Sequence, residues 1–205
     1  MRSAVEVPCD IKPGLIERAK EIYLNSPFYD QTIWKHVSFV AMLASSTASH
    51  ELGGNGSIAY IGGLLHDVGA ALRGPEDHHI TGAIIAEGML RELGYSEAVI
   101  REVLHCIFVH RGSIESRRET IEAQCVASAD GLAHFLQIPA LFRIALFNKG
   151  FSSREAAEWV RNKLDRSWQK MLPVHRGLQG RKGSMTDIKK RYQSAMDILG
   201  EPLTW

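Results

Sequence analysis

The chain has 205 residues, 45% of them hydrophobic, and its 24 basic and 23 acidic side chains leave a net charge of +1. That length and apolar content suit one domain with a sizeable core and exclude a disordered or fibrous chain, and the balanced charge leaves no global field to draw the protein onto nucleic acid or a membrane surface. Cys9, Cys106 and Cys125 lie far apart with no CxxC pair, which excludes a disulfide framework and a zinc-thiolate cage.

The opening MRSAVEVPCDIKPG lacks a continuous apolar run, and no stretch has the eighteen or so apolar residues of a membrane span, so the expectation is a soluble cytoplasmic protein. Apolar residues recur at helical spacing along most of the chain, without the alternation of strands, which predicts an all-α fold. Pro13 starts a helix through Leu24, NSPFYD breaks it at Pro27, and a long helix runs from about Gln31 to Leu52. After the loop GGNG at 53 to 56, Ser57 is expected to cap SIAYIGGLLHDVG, a helix ending near Gly69.

RGPEDHH at 73 to 79 reads as a turn, ITGAIIAEGMLRELG as a helix stopped by Gly94, and SEAVIREVLHCIFVHRG as a helix capped by Ser96 and ending at Gly112. TIEAQCVASADGLAHFLQ is a buried helix, after which Pro139 restarts the chain. SSREAAEWVRNKLDRSWQKML is amphipathic, and the loop HRGLQGRKGS leads to a last helix from about Met185 to Leu199. With no repeat and no convincing linker, residues 1–205 read as a single domain, with a core at about 30–137 and a C-terminal helical extension at about 139–199. The extension is expected to cap a pocket or build a homo-oligomer interface.

Several strongly hydrated groups fall on these apolar helices: His36, the pair His66-Asp67 in LLHDVG, His79 at a helix start, His110 at a helix end, and Asp130 in VASADGLA. Burying carboxylates without compensation is costly, so two of them among several imidazoles call for a shared counter-ion. Imidazole and carboxylate together suit one or two divalent transition metal ions, Mn, Fe, Co, Ni or Zn.

His36, then His66-Asp67, then Asp130 in ASADGL resembles the H…HD…D signature of the HD-domain superfamily of metal-dependent phosphohydrolases. The resemblance implies a bundle of about five core helices that converges these four side chains on a metal. HHITGAIIAEGML resembles the segment that carries an extra histidine in two-metal subfamilies, which best matches His79 with His78 as its rival. VIREVLHCIFVHRG resembles the helix ending in a further ligand, which best matches His110 with His105 as its rival; these two lie about 140° apart around a helix.

Under that resemblance the metal ligands are His36, His66, Asp67, His79, His110 and Asp130, with Asp67 as the bridge between two ions. Asp67, His79 and His110 carry the catalytic roles, and Arg73 and Arg111 contact phosphate in a small phosphorylated substrate, a nucleotide or another metabolite. Two features depart from the family. Ala70 stands where many relatives have lysine, and no GYP tripeptide follows the later histidine, which argues against cyclic-dinucleotide phosphodiesterases. A di-iron HD-type oxygenase and a non-catalytic HD module are the alternatives. The basic residues His175, Arg176, Arg181 and Lys182 are read as a solvated loop.

Overall fold

The structure is a computed structural model that describes residues 10–113, 116–177 and 197. Among the described residues there is no strand, and the fold is all α. The chain divides into two compact units, Met1–Ala129 and Asp130–Trp205. The division falls inside helix α7, Ile121–Leu136.

In the first unit α1, Pro13–Leu24, opens with proline at the first helical position, where a missing N–H costs nothing, and it buries Leu15, Ala19 and Tyr23 at i, i+4, i+8 spacing. The Tyr23 hydroxyl donates to the Leu64 carbonyl at 2.9 Å. Helix α2, Thr32–Thr47, buries Ile33, Val37, Val40, Ala41 and Ala44 along one stripe and runs into a π-helical turn, Ala48–Leu52, that Gly53 ends with φ 70°.

Helix α3, Gly56–Leu65, is apolar over almost its whole surface, as a central core helix must be. Its cap is Asn55 rather than Ser57: the Asn55 side chain accepts from the backbone N–H groups of Ser57 and Ile58 at 3.0 and 3.1 Å. A Cβ on Gly63 would stand 2.8 Å from Ala41 Cα, so glycine is what lets α2 and α3 approach so closely. This helix does not continue to Gly69. It stops at Leu65, Asp67 takes up φ −107°, ψ 13°, and a separate short helix α4 covers Val68–Arg73.

Helix α5, His78–Glu92, begins two residues earlier than its apolar pattern suggests, and α6 spans Glu97–Val109, with Ser96 Oγ accepting from Val99 N–H at 3.4 Å. The core gathers Leu15, Tyr23, Val37, Ile61, Leu64, Leu65, Leu90, Ile100 and Ile107. Cys106 and Cys125 are buried free thiols whose pKa values are raised by burial and by Glu122, Cys125 to about 12, so both are poor nucleophiles.

The second unit holds the end of α7, α8 (Ile138–Arg143) with the π-helical turn Ile144–Asn148, and α9, Ser153–Lys170. A reciprocal capping box of Ser152 and Glu155 starts α9, which buries Ala156, Ala157, Val160, Leu164 and Ser167. His175 is buried rather than solvated, and the Arg176 guanidinium lies 5.1 Å from the Trp168 ring centroid, so neither belongs to an open basic loop. Arg181, Lys182 and the helix expected at 185–199 lie outside the described residues. Among the described residues no single helix is long and apolar enough to cross a membrane.

Candidate metal centre

Four helix-borne imidazoles of the first unit surround the carboxylate of Asp67. His36 comes from α2, His66 follows the last residue of α3, His78 opens α5 and His110 follows α6. The carboxylate divides them into two pairs. Asp67 Oδ2 lies 3.4 Å from His66 Nε2 and 3.9 Å from His36 Nε2, while Oδ1 lies 3.4 Å from His78 Nε2 and 3.8 Å from His110 Nε2. Within each pair the nitrogens face one another, His36 to His66 at 3.3 Å and His78 to His110 at 3.2 Å.

The helix break at Asp67 makes this possible. Consecutive residues of an uninterrupted helix point about 100° apart, whereas Asp67 leaves helical geometry and its carboxylate turns beside the ring of His66. At 22% side-chain exposure Asp67 remains open to solvent from one side, while His66 is fully buried.

Proton positions on three of the rings follow from their other contacts. His66 Nδ1 lies 2.7 Å from the Gly63 carbonyl, His78 Nδ1 2.8 Å from that of Pro75, and His110 Nδ1 2.6 Å from that of Ile107. A carbonyl only accepts, so each Nδ1 carries hydrogen, and in the neutral ring Nε2 is the acceptor nitrogen. Acceptor nitrogens facing one another and a carboxylate repel unless a cation lies among them, and an Nδ1–H held by a backbone carbonyl is the usual support of a metal-binding imidazole. The two triads, His36–His66–Asp67 and Asp67–His78–His110, each bring their ligand atoms within 4.8 Å of one another, which fits divalent metal. Burial acts to raise the Asp67 carboxyl, but with His66, His78 and His110 in their charged forms their attraction outweighs it and holds the carboxyl well below the usual carboxylate range.

The structure therefore brings His36, His66, Asp67 and His110 together, and it turns His79 elsewhere. His79 follows His78 by one helical step, so its ring points to a different side of α5 and packs against Phe108, with centroids 5.3 Å apart. Its Nδ1 is 3.2 Å from Arg111 Nη1, and because guanidinium only donates, the ring proton sits on Nε2. Burial, then the charges of Arg111 and His78, lower the His79 pKa. His105 also faces away: its Nε2 accepts from Glu119 N–H at 3.2 Å.

Arg111 is anchored between His79 and Asp77, 4.0 Å from the Asp77 carboxylate, and its carbonyl accepts from Arg118 Nη2 at 3.1 Å. Arg73 is exposed at the end of α4. Asp130 belongs to the second unit and is described there: His134 Nε2 is 3.3 Å from its Oδ1, and Lys170 Nζ donates to its Oδ2. Neither His134 nor Lys170 figures in the sequence reading, although His134 stands one helical turn after Asp130.

Residues 33–134 match the family model of the HD domain, and the chain belongs to that family. Curated relatives called Ribonuclease Y are similar over part of their length. The protein of Symbiobacterium thermophilum is 39% identical over 105 residues, 51% of this chain and 19% of the relative. That of Thermosipho melanesiensis is 40% identical over 107 residues, 51% and 19% of the two chains, and that of Finegoldia magna 33% identical over 139 residues, 65% and 25%. The chain thus matches a quarter or less of these relatives. A crystal structure described as a predicted HD superfamily hydrolase, from an uncultured Thermotogales bacterium, shares the fold with a TM-score of 0.51 and 24% identity, over 80% of this chain and 90% of the other.

Proposed function

We propose that this protein is a metal-dependent phosphohydrolase acting on a nucleotide or other small phosphorylated metabolite. The observation that carries the reading is the pairing of imidazole Nε2 atoms on opposite oxygens of Asp67. One ion would be held by His36, His66 and Asp67 and a second by Asp67, His78 and His110, so that both would draw on the Asp67 carboxylate. Asp130 enters the proposed ligand set through the HD signature. Bound there, such ions supply an ionised water near neutral pH and neutralise charge on the phosphoryl oxygens.

The protein's own residues do the rest. The backbone carbonyls of Gly63, Pro75 and Ile107 hold three rings in one tautomer and one orientation. Arg111, fixed by His79, offers its remaining N–H groups to a phosphate oxygen, a role that suits the planar donor fork. His79, with its proton on Nε2, supplies a neutral hydrogen-bond donor beside the ligand His78. Arg73 is proposed as a second, more mobile phosphate contact.

Identity of 33–40% to proteins called Ribonuclease Y favours a second substrate class, the phosphodiester of RNA. A single panel tests both. Protein reconstituted with Mn²⁺ is assayed against nucleoside mono- and triphosphates, sugar phosphates and short single-stranded RNA, with Asp67→Ala as control. Phosphate release from the small substrates supports the first reading, and RNA cleavage with the small substrates untouched supports the second. Two irons with a mixed-valent resonance and no hydrolysis anywhere would overturn both in favour of oxygenase chemistry.

A further inference from the structure

Helix α9 lies beyond the residues that match the family model, yet it holds the carboxylate with which the HD signature ends. Lys170 Nζ donates to Asp130 Oδ2, and both side chains are buried, 5% and 6% exposed. His134 Nε2 lies 3.3 Å from the other oxygen. The His134 ring is held in turn by Ser167, whose Oγ is 2.8 Å from Nδ1 and donates to the Lys163 carbonyl at 2.8 Å. The hydroxyl proton is therefore spent on that carbonyl, and Ser167 accepts from His134 Nδ1–H.

Ser167 and Lys170 stand at i, i+3, the spacing of one helix face, so one face of α9 reaches both sides of Asp130, directly through Lys170 and through His134 by way of Ser167. The fit between the helices is close at this point. A Cβ on Gly131 would stand 2.8 Å from the Ser167 carbonyl and 2.9 Å from Met171 Cγ. Two charges buried together without excellent geometry cost more in desolvation than they return, and the geometry here is direct contact. An ammonium placed on a carboxylate in this way neutralises it before any external cation arrives.

We propose that Lys170 is a positioning residue that acts through Asp130: it is the resident counter-ion of that carboxylate, and it competes with divalent metal for it, thereby setting metal affinity. The inference rests on the reading of Asp130 as a metal ligand. A metal ion reaching Asp130 must share the carboxylate with Lys170 or displace it, and either route weakens binding relative to a site without the lysine. A charge carried by α9, outside the matched segment, then tunes the metal affinity of Asp130.

The test is calorimetric titration of Mn²⁺ into the metal-free protein, its Lys170→Met and Lys170→Arg variants, and Asp130→Asn. Lys170→Met is expected to bind Mn²⁺ about tenfold more tightly or better, since a repelling charge in contact with the ligand is gone, while its metal-free form melts at a lower temperature. Lys170→Arg should restore the weaker affinity. A purely structural lysine would lower the melting temperature and leave Mn²⁺ affinity unchanged, and that result in folded Lys170→Met overturns the inference. If Asp130→Asn binds Mn²⁺ as wild type does, the ligand reading of Asp130 is what fails, and the competition falls with it. Should Lys170→Met prove too unstable to titrate, Lys170→Gln with the same comparison to Lys170→Arg decides the question.

Discussion

Asp67 and Asp130 both stand on helical frames, Asp67 partly open to solvent and Asp130 buried, and their surroundings differ in kind. Asp67 is faced by four imidazole nitrogens at 3.4 to 3.9 Å, three of them on rings whose Nδ1–H is committed to a backbone carbonyl. The Lys170 ammonium contacts Asp130 directly, and His134, tied to a serine, lies at its other oxygen. A carboxylate ringed by imidazole nitrogens that can each ligate is suited to a metal cation. One in contact with a lysine has its charge compensated by the chain itself, so two carboxylates of a single signature can differ in their affinity for metal.

The sharpest break of that comparison is Asp67→Ala. Without the carboxylate shared by both triads, Mn²⁺ binding should fall to background in calorimetry while circular dichroism shows the helices intact; retained binding would mean that the imidazole cluster is not organised around Asp67. His110→Ala comes next. It removes one nitrogen from the Oδ1 side and leaves His36 and His66 in place, so if the proposed two-ion site forms, metal analysis should find one ion fewer than in the wild type. An unchanged stoichiometry would remove His110 from the ligand set.

Gly69→Ala acts through packing. A Cβ there would lie 2.5 Å from Gly82 N and against the His78 carbonyl, forcing α4 from α5. Overpacking of this kind costs about 1–3 kcal/mol, and the displaced His78 should also loosen the Oδ1 side. Gly88→Ala, on α5 with nothing within 4 Å, serves as the control and should stabilise by about 0.4–1 kcal/mol in urea unfolding. Equal effects of the two substitutions would show that α4 and α5 are not in close register.

The smallest effect belongs to the second unit's surface. Ser152→Ala removes the cap of α9 and should cost about 1 kcal/mol. Hydrogen bonds from the Ser152 hydroxyl and backbone N–H lower the Glu155 pKa below its ordinary 4.5. Because the folded value is depressed, that stabilisation is present above pH 4.5 and is lost as pH falls through the folded value. The gap between wild type and Ser152→Ala in thermal melts should therefore narrow below pH 4.5. A gap that does not change with pH would assign the cap to Ser152 alone.

Much of the fold was legible because its causes are local. The apolar stripes of α1, α2 and α6, Pro13 at a helix start and Ser96 and Ser152 before helix starts all act within a few residues of where they stand. The end of α3 was not legible, since LLHDVG reads as an unbroken helix and the break at Asp67 shows in the backbone angles alone. His66, Asp67 and Asp130 could be picked out as polar groups in apolar runs. Lys170 and His134 could not, because one sits on a charged amphipathic helix where lysine is ordinary and the other near a helix end where histidine is ordinary.

The sequence by itself determined the all-α class, the order of the helices and the H…HD…D series that marks the HD domain, because periodicity and motif order are properties of the chain. Tertiary structure decided which neighbour of each pair faces Asp67. His78 and His79 differ by one step on a helix, and which of them points inward depends on the phase in which α5 begins. That phase is set by Gly74 at φ 90° and Asp77 at φ 44°, and by the contact of Gly69 with the first turns of α5. Tertiary structure also brought Lys170 to Asp130, forty residues away in sequence, because the close packing at Gly131 and the His134–Ser167 contact hold the two helices together there.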